Sequence, residues 1–208
     1  MDIPATTPLD KRFRGYLPVI IDIETTGFNP KKHALLEIAA VIVELNSKHD
    51  LEITERYSTH VIPFKNAEFD EAALKFNGID PHHPFRMAVD EKEALDMLFK
   101  PIKEAVKRNN CTRAILVGHN PAFDINFLNA AIHRTQIKRS PFHPFSTFDT
   151  ATLGGLAYQQ TVLAKIAKTA GLEWDNEKAH SALYDAEKTA ELFCKIVNRW
   201  KRLESLDA

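Results

Sequence analysis

Leu17 to Ile23 is an apolar run rich in β-branched residues, with Pro18 near its start and Thr25-Thr26-Gly27 after its end, the pattern of a buried strand. Leu35 to Leu45 and Ile53 to Ile62 predict two more strands. The polar turn from Asn46 to Asp50 joins them as an antiparallel hairpin, and the near-continuous Leu, Ile and Val of the second strand fit a central place in a sheet. Glu68 to Phe76 predicts a short helix closed by Asn77-Gly78, and Asp90 to Arg108 a longer one that Pro101 should kink or restart. Ala114 to Gly118 is a fourth, fully apolar strand, followed by a helix from Phe123 to Ile132. A short fifth strand ends near Phe148, and helices follow over Thr150 to Ala157, Thr161 to Ala170 with Gly171 as cap, and Ser181 to about Leu203. A hairpin followed by strands alternating with helices makes a mixed sheet covered by helices, an α/β fold. No linker or internal repeat divides the chain, so residues 1–208 read as one domain, a basic N-terminal segment 1–16 before a core over 17–203.

A hydrophobic fraction of 44% beside 26% charged residues is that of a globular chain. Two distant cysteines, Cys111 and Cys194, belong to no zinc pattern and read as reduced thiols. The opening MDIPATTPLDKRFRGY carries charge and proline where a signal peptide needs an apolar run. No stretch reaches the ~18 apolar residues of a membrane span. A soluble, cytoplasmic protein that makes no use of a membrane is expected. Net charge of −1 does not announce a nucleic-acid binder, but basic residues cluster locally: Lys11, Arg12 and Arg14; Lys107, Arg108 and Arg113; Arg134, Lys138 and Arg139.

Asp22 and Glu24 end the first strand two residues apart and so point to one face. Ile20-Ile21 before them is too apolar for a wet edge, and a buried acid needs a partner. The nearest cations in sequence, Lys31 and Lys32, lie past a turn, whereas a divalent ion would compensate both carboxylates together. Asp124, in GHNPAFD, falls in the first turn of a helix that follows a strand of the same sheet. There its charge also suits the helix dipole. His180 and Asp185 bracket the start of the last helix; five residues along one helix would set them about 140° apart, so His180 is placed just before it. Asp22, Glu24, Asp124 and Asp185 offer all-oxygen ligands, suited to Mg²⁺ or Mn²⁺ rather than zinc. They can hold two ions ~3.5–4 Å apart for an in-line displacement at phosphorus. Histidine titrates near neutrality, and His180 is the candidate general base.

The motifs IDIETTG, GHNPAFD and HSALYDA resemble the three exonuclease motifs of the DEDD superfamily, in its histidine-containing branch. The segments LLEIAAV, FNGIDP, KRSPFHPFSTFDTA and HSALYDAEKTAELFCKIVNRWKRL extend the resemblance to the bacterial ribonuclease T family over nearly the whole chain. It implies a ribonuclease H-like five-stranded mixed sheet flanked by helices, and a homodimer with two Mg²⁺ per subunit, Mn²⁺ being a possible substitute. It also implies 3′-to-5′ trimming of transfer RNA and other stable RNA; cleavage of single-stranded DNA alongside RNA is a further expectation. Phe28, Phe76, Phe123 and Phe145 lie near the motifs and, by the resemblance, sandwich the terminal nucleotides; aromatic stacking is worth ~1–3 kcal/mol per base. The resemblance further marks Arg12, Arg14, Lys107, Arg113, Lys138 and Arg139 as a patch that grips RNA upstream and presents it to the partner subunit. One departure stands out. The family carries a glutamate four residues before the phenylalanine matched by Phe76, where this chain has Ala72, with Glu71 beside it. Rival readings are a proofreading DNA exonuclease, an oligoribonuclease, or a silent nucleic-acid-binding module, and the last would not need all five catalytic residues.

Overall fold

The computed structural model describes residues 7–204. The first six residues of the expected basic segment and the last four of the expected domain lie outside the described residues. Five strands form one mixed sheet: β1 (Tyr16–Thr25), β2 (Leu35–Leu45), β3 (Leu51–His60), β4 (Arg113–Gly118) and β5 (Phe142–Asp149), in the order β3-β2-β1-β4-β5. β1 to β3 are antiparallel neighbours, while β4 and β5 run parallel to β1. β2 coincides with its predicted span and is interior; its first nine residues are all buried, so both of its faces are covered.

The helices are α1 (Glu71–Asn77), α2 (Glu91–Arg108), α3 (Ala122–Arg134), α4 (Thr150–Tyr158), α5 (Leu163–Thr169) and α6 (Ala182–Glu204). α2 buries Leu95, Leu98, Phe99 and Ile102. α6 buries Ala182, Ala186, Ala190 and Phe193, and its alanines, four residues apart, let the helix lie close to the sheet. None of the helices is long and apolar enough to cross a membrane among the described residues.

Boundaries shift where side chains cap. Asp70 accepts the amides of Ala72 and Ala73, so α1 starts at Glu71 rather than Glu68. The hairpin turn closes with Asn46 Oδ1 accepting the Lys48 and Asp50 amides, which lets β3 begin at Leu51, two residues earlier than predicted. α5 is shorter than predicted at both ends, and β5 runs eight residues rather than a short stretch. Pro101 neither ends nor restarts α2. The one bond it forfeits is to the carbonyl of Met97, on the exposed side of the helix, where water can take it.

Two of the basic residues singled out by clustering serve the fold. Arg134 forms a two-pronged pair with buried Glu91, at 2.9 and 2.7 Å, and donates to the Pro30 carbonyl. Breaking such a pair costs about 3–5 kcal/mol. Arg108 bridges Glu44 and Glu55. Neither belongs to a free basic surface.

Candidate active site

The register of β1 against β2 decides what faces the first two acids. Asp22 lies opposite Ala39 and Glu24 opposite Glu37; opposite residues of an antiparallel pair share a face. The methyl of Ala39 therefore leaves room beside Asp22, and Glu37 brings another carboxylate beside Glu24. Sequence reasoning passed over Glu37, because it reads as a lone acid in the apolar stretch LLEIAAV.

Because β4 is parallel to β1, the chain leaving it turns at the edge where Asp22 and Glu24 stand. β4 ends at Gly118, where any side chain would press on Pro121 at 3.1 Å and on Asp124 Oδ2 at 3.3 Å. Asp124 is buried in the first turn of α3, where the backbone amides of Asp124 and Ile23 favour its charged form. From the other side, α6 carries Asp185 in its first turn, and His180 precedes the helix with a left-handed φ of 70°. The His180 amide donates to Asp185 Oδ2 at 3.1 Å. Ligand atoms of Glu24, His180 and Asp185 all lie within 4.8 Å of one another. Asp22 and Asp124 join them through their charges rather than in that close group.

Electrostatics show the strain of this convergence. Burial, then the charges of Asp124, Asp185, Glu24 and Glu37, holds Asp22 well above the usual carboxylate range. Burial first, then Asp185 and Glu37, pushes Glu24 up to about 8. Burial lifts Asp124 to about 7 against the pull of its amide partners. Asp185 is raised by burial and held back by the amide and charge of His180. None of the ion pairs among the described residues reaches these four carboxylates, and Lys32 pairs with Glu68 instead. Asp185 Oδ1 is buried and accepts no hydrogen bond. Hard oxygen donors, mutually repelling, with one buried oxygen unpartnered, fit a divalent cation.

Three phenylalanines ring this edge. The turn after β1 needs Gly27, since a Cβ there would meet the His33 ring at 2.5 Å, and it carries Phe28 outward, edge-on to Phe123 at 6.3 Å. Phe76 packs on the His180 ring at 4.2 Å. Phe28 and Phe76 are 72% and 68% exposed, unusual for phenylalanine unless something else covers them. Phe145 is equally open, but its ring neighbour is His143, and it touches none of the other three rings. Ala72 sits one turn before Phe76 on the same exposed side of α1, offering a methyl beside that ring.

The basic residues gather at the other end of the sheet, for a topological reason. β1, β4 and β5 are parallel, so all three begin at one edge. Arg12 and Arg14 precede β1, Lys107 lies in the last turn of α2 before β4, Arg113 opens β4, and Lys138 and Arg139 precede β5. Arg113 and Arg14 both depress the pKa of His143, behind its burial, which places their charges together. Tyr16 pairs with Arg113, and the six residues on to Asp22 at about 3.3 Å each leave roughly 20 Å between patch and carboxylates.

The RNase_T exonuclease family model matches residues 19–193. Ribonuclease T of Marinobacter nauticus is 57% identical over 196 residues, spanning 94% of this chain and 89% of that one. Ribonuclease T of Vibrio vulnificus is 59% identical over the same length, spanning 94% and 90%. Among solved structures, E. coli exonuclease I in complex with a dT13 oligonucleotide superimposes with a TM-score of 0.68 at 18% identity, over 92% of this chain and 43% of that one. The nuclease domain of 3'hExo, a DEDDh family member bound to rAMP, gives 0.65 at 20% identity, over 88% and 92%. These last two likenesses concern the fold, a ribonuclease H-like sheet; the sequence relatives and the family model go further, and by them the chain belongs to the ribonuclease T family of exonucleases.

Proposed function

We propose that this exoribonuclease removes nucleotides from the 3′ ends of transfer RNA and other stable RNA, as a cytoplasmic homodimer, with single-stranded DNA as a further substrate. Hydrolysis takes place at Asp22, Glu24, Asp124 and Asp185, which hold two Mg²⁺, or Mn²⁺ in its place. The observation that carries this reading is the meeting of the four carboxylates and His180 at one sheet edge, where ligand atoms of three of them fall within 4.8 Å. When bound, the ions supply activation of water and charge stabilisation at the leaving oxygen. Asp22, Glu24, Asp124 and Asp185 would hold the ions, and His180, packed on Phe76, takes the proton of the attacking water through a ring nitrogen. Phe28, Phe76, Phe123 and Phe145 stack on the terminal bases, which favours an end over an internal site. With a methyl at Ala72, no carboxylate from that position bears on the terminal base, so base preference rests on the stacking rings.

A time course on a transfer RNA carrying extra 3′ nucleotides, mapped residue by residue, tests the proposal. Stepwise 3′ shortening that stops with chelator and resumes with Mg²⁺ is expected. Internal cuts, 5′ shortening or activity that survives chelation would overturn it.

His180→Ala is expected to lower kcat at neutral pH by about 10²- to 10³-fold, with Kd for RNA within about twofold of wild type because phosphate and stacking contacts are untouched. Turnover at the wild-type rate would remove His180 from the role of base.

A further inference from the structure

Glu37 is 8% exposed, inside the fully buried stretch 35–43 of β2, and stands opposite Glu24. Its charge opposes ionisation of Asp22, Glu24 and Asp185. A buried carboxylate that adds to this repulsion costs stability unless it does something else. What it does is accept a hydrogen bond: the Ala182 amide, first in α6, donates to Glu37 Oε2 at 3.3 Å across 145 residues of sequence. The first amides of a helix have no partner within it, and a negative group there is favoured by the dipole. Ala182 lies between His180 and Asp185, two residues after one and three before the other. Arg86 contributes charge near Glu37, while its Nη1 donates to the Pro81 carbonyl and its Nη2 to those of Leu36 and Val61, and its buried Nε makes no hydrogen bond. Glu37 is outside the close group of Glu24, His180 and Asp185.

We infer that Glu37 is a positioning residue: its side chain ties the start of α6 to β2 and thereby fixes His180 and Asp185 over β1. This rests on the reading of His180 as general base. Loss of the tie frees the first turn of α6 to fray, and a misplacement of about 1 Å can cost about 10²-fold in rate.

Single-turnover and steady-state kinetics of Glu37→Ala and Glu37→Gln, alone and with His180→Ala, test it. Glu37→Ala should lower kcat by about 10²-fold with KM and RNA binding within about twofold. Glu37→Gln, whose amide oxygen still accepts from Ala182, should stay within about threefold of wild type. In the His180→Ala background, Glu37→Ala should add clearly less than the loss it causes alone, since only the placement of Asp185 is left to disturb. Gln as damaging as Ala, an unimpaired Ala variant, or losses that multiply in the double variant would each overturn the assignment. If His180→Ala alone turns over normally, the reading of the base has failed, and the Ala-against-Gln contrast then decides positioning through Asp185. If thermal melts show Glu37→Ala unfolded, Ala182→Pro takes its place. It deletes the same donor at a first helical position where proline is tolerated, and an unchanged kcat there would equally overturn the inference.

Discussion

Asp22→Asn should lower kcat/KM by at least about 10³-fold, about 4 kcal/mol of transition-state stabilisation, while the metal-free variant melts above the metal-free wild type. Both halves follow from one geometry. Asp22 is desolvated and repelled by Asp124, Asp185, Glu24 and Glu37. An amide removes the charge proposed to bind metal, and with it the repulsion. Relief worth one pKa unit, about 1.4 kcal/mol, raises the Tm of a chain this size by about 3–6 °C. A pH dependence follows with a definite sign. In the folded chain burial and neighbouring charge push Glu24 up to about 8 and burial lifts Asp124 to about 7, from ordinary values of 4.5 and 3.8. Between those limits the folded state binds more protons than the unfolded chain, so stability falls as pH rises. Metal-free protein should therefore melt highest near pH 5 and lose Tm up to about pH 8; saturating Mg²⁺ should flatten the trend by favouring the ionised carboxylates. Calorimetry with and without chelator, beside an exonuclease assay, reads all of this. A variant that keeps a tenth of its activity, or a metal-free Tm that rises toward pH 8, would defeat the account.

Parts of this site were legible because they are local. The alternation that sets Asp22 and Glu24 on one face needs only the period of a strand, and Asp124 follows from one strand-to-helix turn. The β2 span, Leu35–Leu45, was readable because its apolar run ends in a polar turn. Other features depend on pairings that no window of sequence contains. Glu37 becomes part of the site only through the register that sets it against Glu24 and through the Ala182 amide far along the chain. Arg134 and Arg108 looked like Lys138 and Lys107 until their acidic partners arrived from other elements. Pro101 reads as a break by local rules, yet the burial of Leu98, Phe99 and Ile102 around it keeps one helix continuous.

Alanine at Arg12, Arg14, Lys107, Arg113, Lys138 and Arg139 together should weaken RNA binding by about 10²- to 10³-fold at moderate salt. It should also flatten log K against log salt by up to about 4, near 0.7 per phosphate contact on a single strand. An unchanged slope would show these residues to be mere solvated surface. Where the patch acts is a separate question, and topology supplies the test. Parallel strands put the basic residues and the carboxylates at opposite ends of the sheet, roughly 20 Å apart along β1. If RNA gripped by one subunit enters the site of its partner, a patch-defective subunit and an Asp22→Asn subunit, each inactive alone, should complement. In a mixed dimer the intact site of one faces the intact patch of the other, so an equal mixture that exchanges freely regains about a quarter of wild-type activity. Should each patch serve its own subunit, no pairing unites a good site with a good patch. Mixed dimers purified through two tags would then stay inactive.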